Sequence, residues 1–273
     1  MPIAVTVIRP PQGRFHLGLR AAWQRRGLLR ELLARDIRLK YRIGIFGVLW
    51  ALLQPLALLA AFSLMLGHTQ SAKTLGMPYA LYVFPGLILW MLFANGTSNI
   101  SLSLVSSTHL VGKIYFPRLL LPLATLGPYL IDFLIALLLL LGWLLWQGRA
   151  ISWQLLWALP AFVGMLAATL TSGLLLAVWL LRYRDLRPLV GFVLQVGMLV
   201  TPVAYSAAML PSGMRHWLWL NPLSAPVNSF RAAFSGGDVQ ALALGLSLLF
   251  WLVALAAALA YFQHHDRQFA DYA

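Results

Sequence analysis

Apolar residues in this chain come in long runs, without the regular polar interruptions of a half-buried strand or surface helix. No Asp, Glu, Lys or Arg falls within 43–72, 74–112, 150–181, 188–214 or 239–265, and a sixth run, 119–148, holds only Asp132. A hydrocarbon slab of about 30 Å needs about 20 apolar residues per spanning helix, and each run can supply one. The pattern predicts an all-α membrane protein in a single domain over 1–273, with six transmembrane helices at 48–67, 81–104, 119–146, 155–181, 188–204 and 241–262.

Two segments follow other rules. Over 14–42, Trp23, Leu28, Leu29, Leu32, Leu33, Ile37 and Tyr41 recur at spacings of three and four, and Arg25, Arg26, Arg30, Arg35 and Arg38 take much of the remaining surface. This is the signature of an N-terminal amphipathic helix lying in the headgroup plane, its arginines near anionic phosphates. The stretch 205–234 is apolar but carries Pro211, Gly213, Asn221, Pro222 and Pro226. It is too broken for a straight span and too apolar for a solvated loop, which predicts a pair of short re-entrant helices in the outer leaflet before span six, covered by protein or lining a water-filled cavity.

Within the spans, Gln54-Pro55 bends the first, because proline removes a backbone donor. The second turns polar at 95–103, and the fourth has a run of small residues (Gly164, Ala167, Ala168, Thr171, Gly173) suited to close helix approach. Trp143, Trp146, Trp153 and Trp157 flank the turn between spans three and four as an aromatic belt.

The charge pattern adds an orientation. The chain is 61% hydrophobic and only 10% charged, with a formal net charge of +13. With a cytoplasmic N-terminus and alternating spans, sixteen of the 20 basic residues fall on the cytoplasmic side, and only Lys73, Arg149, Arg215 and Arg231 on the other. That asymmetry predicts a multi-pass protein of the inner (plasma) membrane with both termini cytoplasmic. It also explains the positive charge without a nucleic-acid partner. The chain has no cysteine, so no disulfide or thiolate metal site is expected.

Catalytic chemistry is missing from the pattern. There is no G-x-x-x-x-G-K-[ST] phosphate loop, and Gly112-Lys113-Ile114 lacks both the upstream glycine and the hydroxyl residue. H-E-x-x-H and G-x-S-x-G are absent too. His264-His265-Asp266 reads as a solvated tail, because adjacent histidines on a helix end point apart. Asp132 is the one acid inside a span, a structural polar group like Gln54 or, alternatively, the centre of a proton-coupled carrier. Aromatic faces hold sugar rings while leaving hydroxyls wet, and Trp50, Trp90 and Tyr205 are the candidates for a substrate path.

Several segments together resemble the permease subunits of ABC-2-type polysaccharide exporters, which move O-antigen, capsule or teichoic-acid chains. They are Leu33 to Arg42 (LARDIRLKYR), Gly47 to Leu56 (GVLWALLQPL), Phe84 to Trp90 (FPGLILW), Lys113 to Arg118 (KIYFPR), Thr201 to Tyr205 (TPVAY) and Leu220 to Leu223 (LNPL). The resemblance implies a non-enzymatic transport subunit that forms a homodimeric channel. It also implies two copies of a cytoplasmic ABC ATPase, which hold ATP and Mg, and a lipid-linked polysaccharide as cargo. On this chain, Arg35 and Arg38 of the interfacial helix and Lys113, Tyr115, Phe116 and Arg118 between spans two and three would contact the ATPase. An ABC-2 exporter of small hydrophobic molecules or lipids is the alternative.

Overall fold

The computed structural model describes residues 23–42, 47–67, 77–107, 116–148, 153–206, 213 and 215–266, and every regular element among them is helical. In chain order these are α1 (Arg26–Arg42), α2 (Leu49–Leu66), α3 (Tyr79–Ser106), α4 (Leu120–Trp146), α5 (Ala158–Arg182), α6 (Arg187–Val200), α7 (Arg215–Leu220), α8 (Ser224–Ser235) and α9 (Ala241–His265). Single 3-10 turns at Trp153–Trp157 and Arg184–Leu186 lead into α5 and α6. Lys113, Tyr115, the start of the amphipathic segment, both termini and part of the proline-rich stretch before α7 lie outside the described residues.

Five helices are long and apolar enough to cross a bilayer: α2, α3, α4, α5 with its 3-10 lead, and α9. The fifth of the six expected spans differs. Instead of running over 188–204, α6 has 14 residues, about 21 Å of helix at 1.5 Å per residue. It stops at Val200 because Thr201 turns to extended backbone (ψ 136°) ahead of Pro202, whose ring disfavours helical geometry in the residue before it.

The bundle is organised around α3. Of its apolar window 72% is buried, against 17% for α2 and 22% each for α4 and α9. It touches α5, α4, α8 and α2 in turn. Small residues make its approach to α5 possible: a Cβ at Gly96 would lie 2.6 Å from Thr169 Cγ2, and one at Gly173 would lie 2.5 Å from Ile100 Cγ2. Close backbone approach is how apolar helices gain contact energy in lipid, where burial of apolar surface supplies little driving force.

Buried residues form two clusters. One gathers Leu32 of α1 with the C-terminal ends of α3, α5 and α9 and the N-terminal end of α4, including Leu104, Leu120, Leu181 and Phe262. This is the basic end of the bundle. The larger cluster fills the middle and the opposite end, where α8 is wedged against α3, α5 and α9. Phe230 of α8 sits 6.0 Å from Phe133 and 5.0 Å from Phe234, ring centre to ring centre. The helix ends on Gly236, whose φ of 74° is the left-handed cap geometry that glycine adopts without strain.

The contact between α3 and α5 is therefore a close one, with no spare room at either glycine. Gly96→Val and Gly173→Val are each expected to lower stability by about 1–3 kcal/mol through overpacking, read as a lower unfolding midpoint of the purified chain. Gly142→Ala is the control, since nothing lies within 4 Å of the Cβ it would add.

Candidate functional site

At the basic end, α1 is docked along α4. Its inward side carries Leu29, Leu32, Leu33, Asp36, Ile37, Lys40 and Tyr41, while Arg30, Arg38 and Arg42 are exposed. Gly127 makes room for this crossing, because a Cβ there would collide with the Leu33 side chain. Lys40 forms an ion pair with Asp132, which lies about 18 Å along α4 from Leu120. The Lys40 ammonium also sits 3.7 Å from the centre of the Tyr129 ring. The Tyr41 hydroxyl is 2.6 Å from Asp132 Oδ1 and 2.9 Å from the Pro128 carbonyl. Both carboxylate oxygens of Asp132 are thus held from α1. Burial pulls the Lys40 ammonium below its ordinary range, against the opposing pull of Asp132.

The segment entering α4 is anchored as well. Phe116 is buried in the basic-end cluster. Arg118 donates to the backbone carbonyl of Asp266 and lies 3.8 Å from its carboxylate. A guanidinium at this position satisfies a carbonyl at the C-terminus of α9 and complements the negative end of that helix. Burial raises the Asp266 carboxyl above its usual range, and Arg118 pulls it back. Asp266 is thereby a partner of Arg118, with its side chain still 43% exposed. Arg35 pairs with its neighbour Asp36 at 2.8 Å, and Arg38 is exposed.

The opposite end is built on Arg231, one of the four basic residues assigned to that side. It is not at the surface: only 3% of it is exposed. From α8 its Nη2 donates to the carbonyls of Pro202 (2.5 Å) and Val203 (2.6 Å), and its Nη1 to the Tyr82 hydroxyl (3.2 Å) and Asn228 Oδ1 (3.3 Å). Its guanidinium carbon lies 4.4 Å from the Tyr82 ring centre. Among the described residues it has no carboxylate partner. Gly86, next to Pro85 in α3, leaves the space: a Cβ there would lie 3.0 Å from Arg231 Nη2.

Neighbouring contacts complete this end. Tyr79 donates to the Ala204 carbonyl at 2.6 Å, and Asn221 Nδ2 to Thr201 Oγ1 at 2.9 Å. The Pro222 carbonyl accepts from Ser247 (2.6 Å) and Trp251 (3.2 Å) of α9. Three motifs far apart in sequence, around Phe84, Thr201 and Leu220, therefore meet here. No spacing rule in the sequence marks Arg231 as the partner of Pro202 and Val203, because it acts on backbone carbonyls about 30 residues away.

The expected path aromatics are not brought together. Trp50 is 53% exposed on α2, whereas Trp90 is 3% exposed, packed on Phe93 and against α6 where Gly197 leaves room. Tyr205 is half-buried, with its hydroxyl 3.0 Å from the Leu199 carbonyl at the end of α6. Gln54 is exposed beside the buried Pro55 and lines a cavity with Asp132. Lys40 was the missed residue. Helical spacing places it four residues after Asp36, on the inward face, but nothing in the sequence pairs it with an acid 92 positions on.

This arrangement defines a multi-pass helical membrane protein whose polar side chains serve helix joints and chain breaks. The family pattern of ABC-2 type transporters matches residues 27–235, and the chain belongs to that family. It is also similar to proteins named O-antigen export system permease protein RfbA. That of Myxococcus xanthus is 26% identical over 261 residues, covering 93% of this chain and 98% of that protein. That of Klebsiella pneumoniae is 23% identical over 245 residues, covering 89% and 94%.

Two expectations follow from the joints. Lys40→Met and Asp132→Leu should each destabilise the chain, and the double variant should lose less than the sum, with a coupling of about 0.5–3 kcal/mol in unfolding measurements. Arg231→Met should cost about 1–3 kcal/mol for each buried carbonyl it leaves unpaired. Arg231→Lys should not restore the loss in full, because one ammonium cannot take both the place of Nη2 at the Pro202 and Val203 carbonyls and that of Nη1 at Tyr82 and Asn228.

Proposed function

We propose that this chain is the membrane subunit of an ATP-driven exporter that moves lipid-linked, O-antigen-like polysaccharide from the cytoplasm across the inner membrane. The observation that carries this reading is the family match over most of the chain, joined to end-to-end similarity with permeases named for O-antigen export. Two copies enclose the conduit. The weakly buried face of α2, with Trp50, Leu53 and Leu56, and that of α6, with Leu189, Phe192, Val193 and Val196, supply apolar surface for lipid or for the second copy.

In this reading the basic end faces the cytoplasm, with both termini on that side. The short α6 completes a sixth crossing together with residues 201–206, and α7 and α8 form the re-entrant pair at the outer mouth. A separate ATPase holds ATP and Mg and contacts α1 through Arg35 and Arg38. It also contacts the segment that contains Lys113 and Tyr115. Phe116 and Arg118 anchor that segment to α4 and α9, so motion imposed on it reaches the ends of two long helices.

The test is genetic and biochemical. Deleting the gene should abolish surface polysaccharide and leave lipid-linked polymer inside the cell, and tagged full-length chain should bring down an ATPase from native membranes. Export that persists without any nucleotide-binding partner would overturn the reading. ATPase stimulation by small lipophilic compounds, with no response to glycan, would favour a lipid or drug exporter instead.

A further inference from the structure

Helices α5 and α9 pack side by side, and both finish at the basic end of the bundle, where Leu181 and Phe262 share one buried cluster. Just before those ends an aromatic pair joins their exposed sides. Trp179 Nε1 donates to the Tyr261 hydroxyl oxygen at 3.3 Å, and the two residues are 48% and 37% exposed. His265 steadies the tyrosine: the ring centres are 4.4 Å apart, and its Nδ1 lies 3.0 Å from the Tyr261 carbonyl. Because the Tyr261 oxygen already accepts from Trp179, its own O–H is left to donate, and among the described residues no protein acceptor takes it. Arg182 follows Trp179 by three residues, hence on the same side of α5, and is exposed. Its guanidinium carbon lies 5.3 Å from the Tyr183 ring centre. It forms no ion pair among the described residues, not even with Asp185 three positions on.

The surroundings select the occupant. Phe250, Val253 and Ala257 continue the Tyr261 side of α9 at spacings of three and four, and all are exposed. An apolar stripe about 12 Å long thus leads from Val253 to the hydroxyl. Trp and Tyr are the side chains that sit where hydrocarbon meets headgroups, and an arginine stem lies along apolar surface while its guanidinium reaches the polar layer. Complementing the negative end of α5 would account for Arg182 alone, but not for a tyrosine donor at the head of an apolar stripe. An acyl chain fits the stripe, and a phosphodiester, with acceptor oxygens and a negative charge, fits Arg182 and Tyr261. We propose that Trp179, Arg182 and Tyr261 form a site for the headgroup of an anionic membrane phospholipid, its acyl chain lying against Val253 and Ala257. A second copy is the poorer match, because this end of the groove offers a cation and a hydroxyl donor rather than apolar surface. The site goes beyond the export reading and holds whatever the chain carries.

The test uses purified full-length chain, stripped of lipid in neutral detergent and titrated with phosphatidylglycerol or phosphatidylcholine. Native mass spectrometry reads binding, and the unfolding midpoint reads its effect. Phosphatidylglycerol should fill one saturable site per chain and raise the midpoint, and phosphatidylcholine should do neither to the same extent. Arg182→Gln should weaken phosphatidylglycerol about tenfold and Tyr261→Phe about fivefold, the weights of a charge-assisted and an ordinary net hydrogen bond. Arg182→Lys should keep most of the affinity. Arg30→Gln, which removes an exposed cation on α1, is the control and should leave the affinity unchanged. Equal binding of the two lipids, or equal weakening by Arg182→Gln and Arg30→Gln, would mean a diffuse attraction and would overturn the site. So would competition by inorganic phosphate at the lipid's own concentration, which would mark a site for the free ion. Dispersal of a dimer by Trp179→Glu would also overturn it, because the face would then be covered by the second copy.

Discussion

A peptide group surrounded by hydrocarbon must find its hydrogen-bond partner inside the protein, and this chain breaks its helices where that demand is hardest to meet. At Thr201–Ser206 the backbone leaves α6 without continuing as helix. Regular structure offers no donors to the Pro202 and Val203 carbonyls, so a buried guanidinium supplies them. Tyr79 does the same for the Ala204 carbonyl, and Asn221 donates to the Thr201 hydroxyl. The fork geometry of arginine explains the choice, because one side chain reaches two successive carbonyls and still contacts Tyr82. Much of the opposite end of the bundle depends on this one cation.

The basic end solves a different problem with similar means. An acid in α4 is compatible with an apolar surrounding only if its charge is offset, and α1 brings both a cation and a hydroxyl to it. The consequence is mechanical as well as electrostatic. A helix that would otherwise rest on the surface is tied to α4, beside the cavity between α2 and α3. Arg118 ties the entry of α4 to the end of α9 in the same way. In the proposed exporter, these two joints carry force from the cytoplasmic face into the bundle.

Packing supplies the rigid frame for both ends. Gly96 and Gly173 bring α3 and α5 into direct contact, and α8 is wedged beside them. Helices α2, α4, α6 and α9 keep large uncovered apolar faces on the outside of this frame, as expected of surfaces that meet lipid or another copy. A single chain therefore has a well-packed half and a half whose apolar faces still lack partners.

By itself, the sequence determined the helical membrane class, the long apolar spans, the basic asymmetry and the broken stretch before the last helix. Those properties depend on residue type and on local rules: apolar run length, proline and positive charge. The family was legible too, since its short motifs survive as contiguous residues. Tertiary structure decided the rest. It shortened the fifth apolar run to α6, turned Lys40 inward onto Asp132, buried Arg231 among carbonyls and covered Trp90 with Gly197. Each of these joins residues far apart in the chain through geometry. Local hydropathy cannot encode such contacts, because the energy of a polar group in an apolar surrounding is set by what folding places beside it.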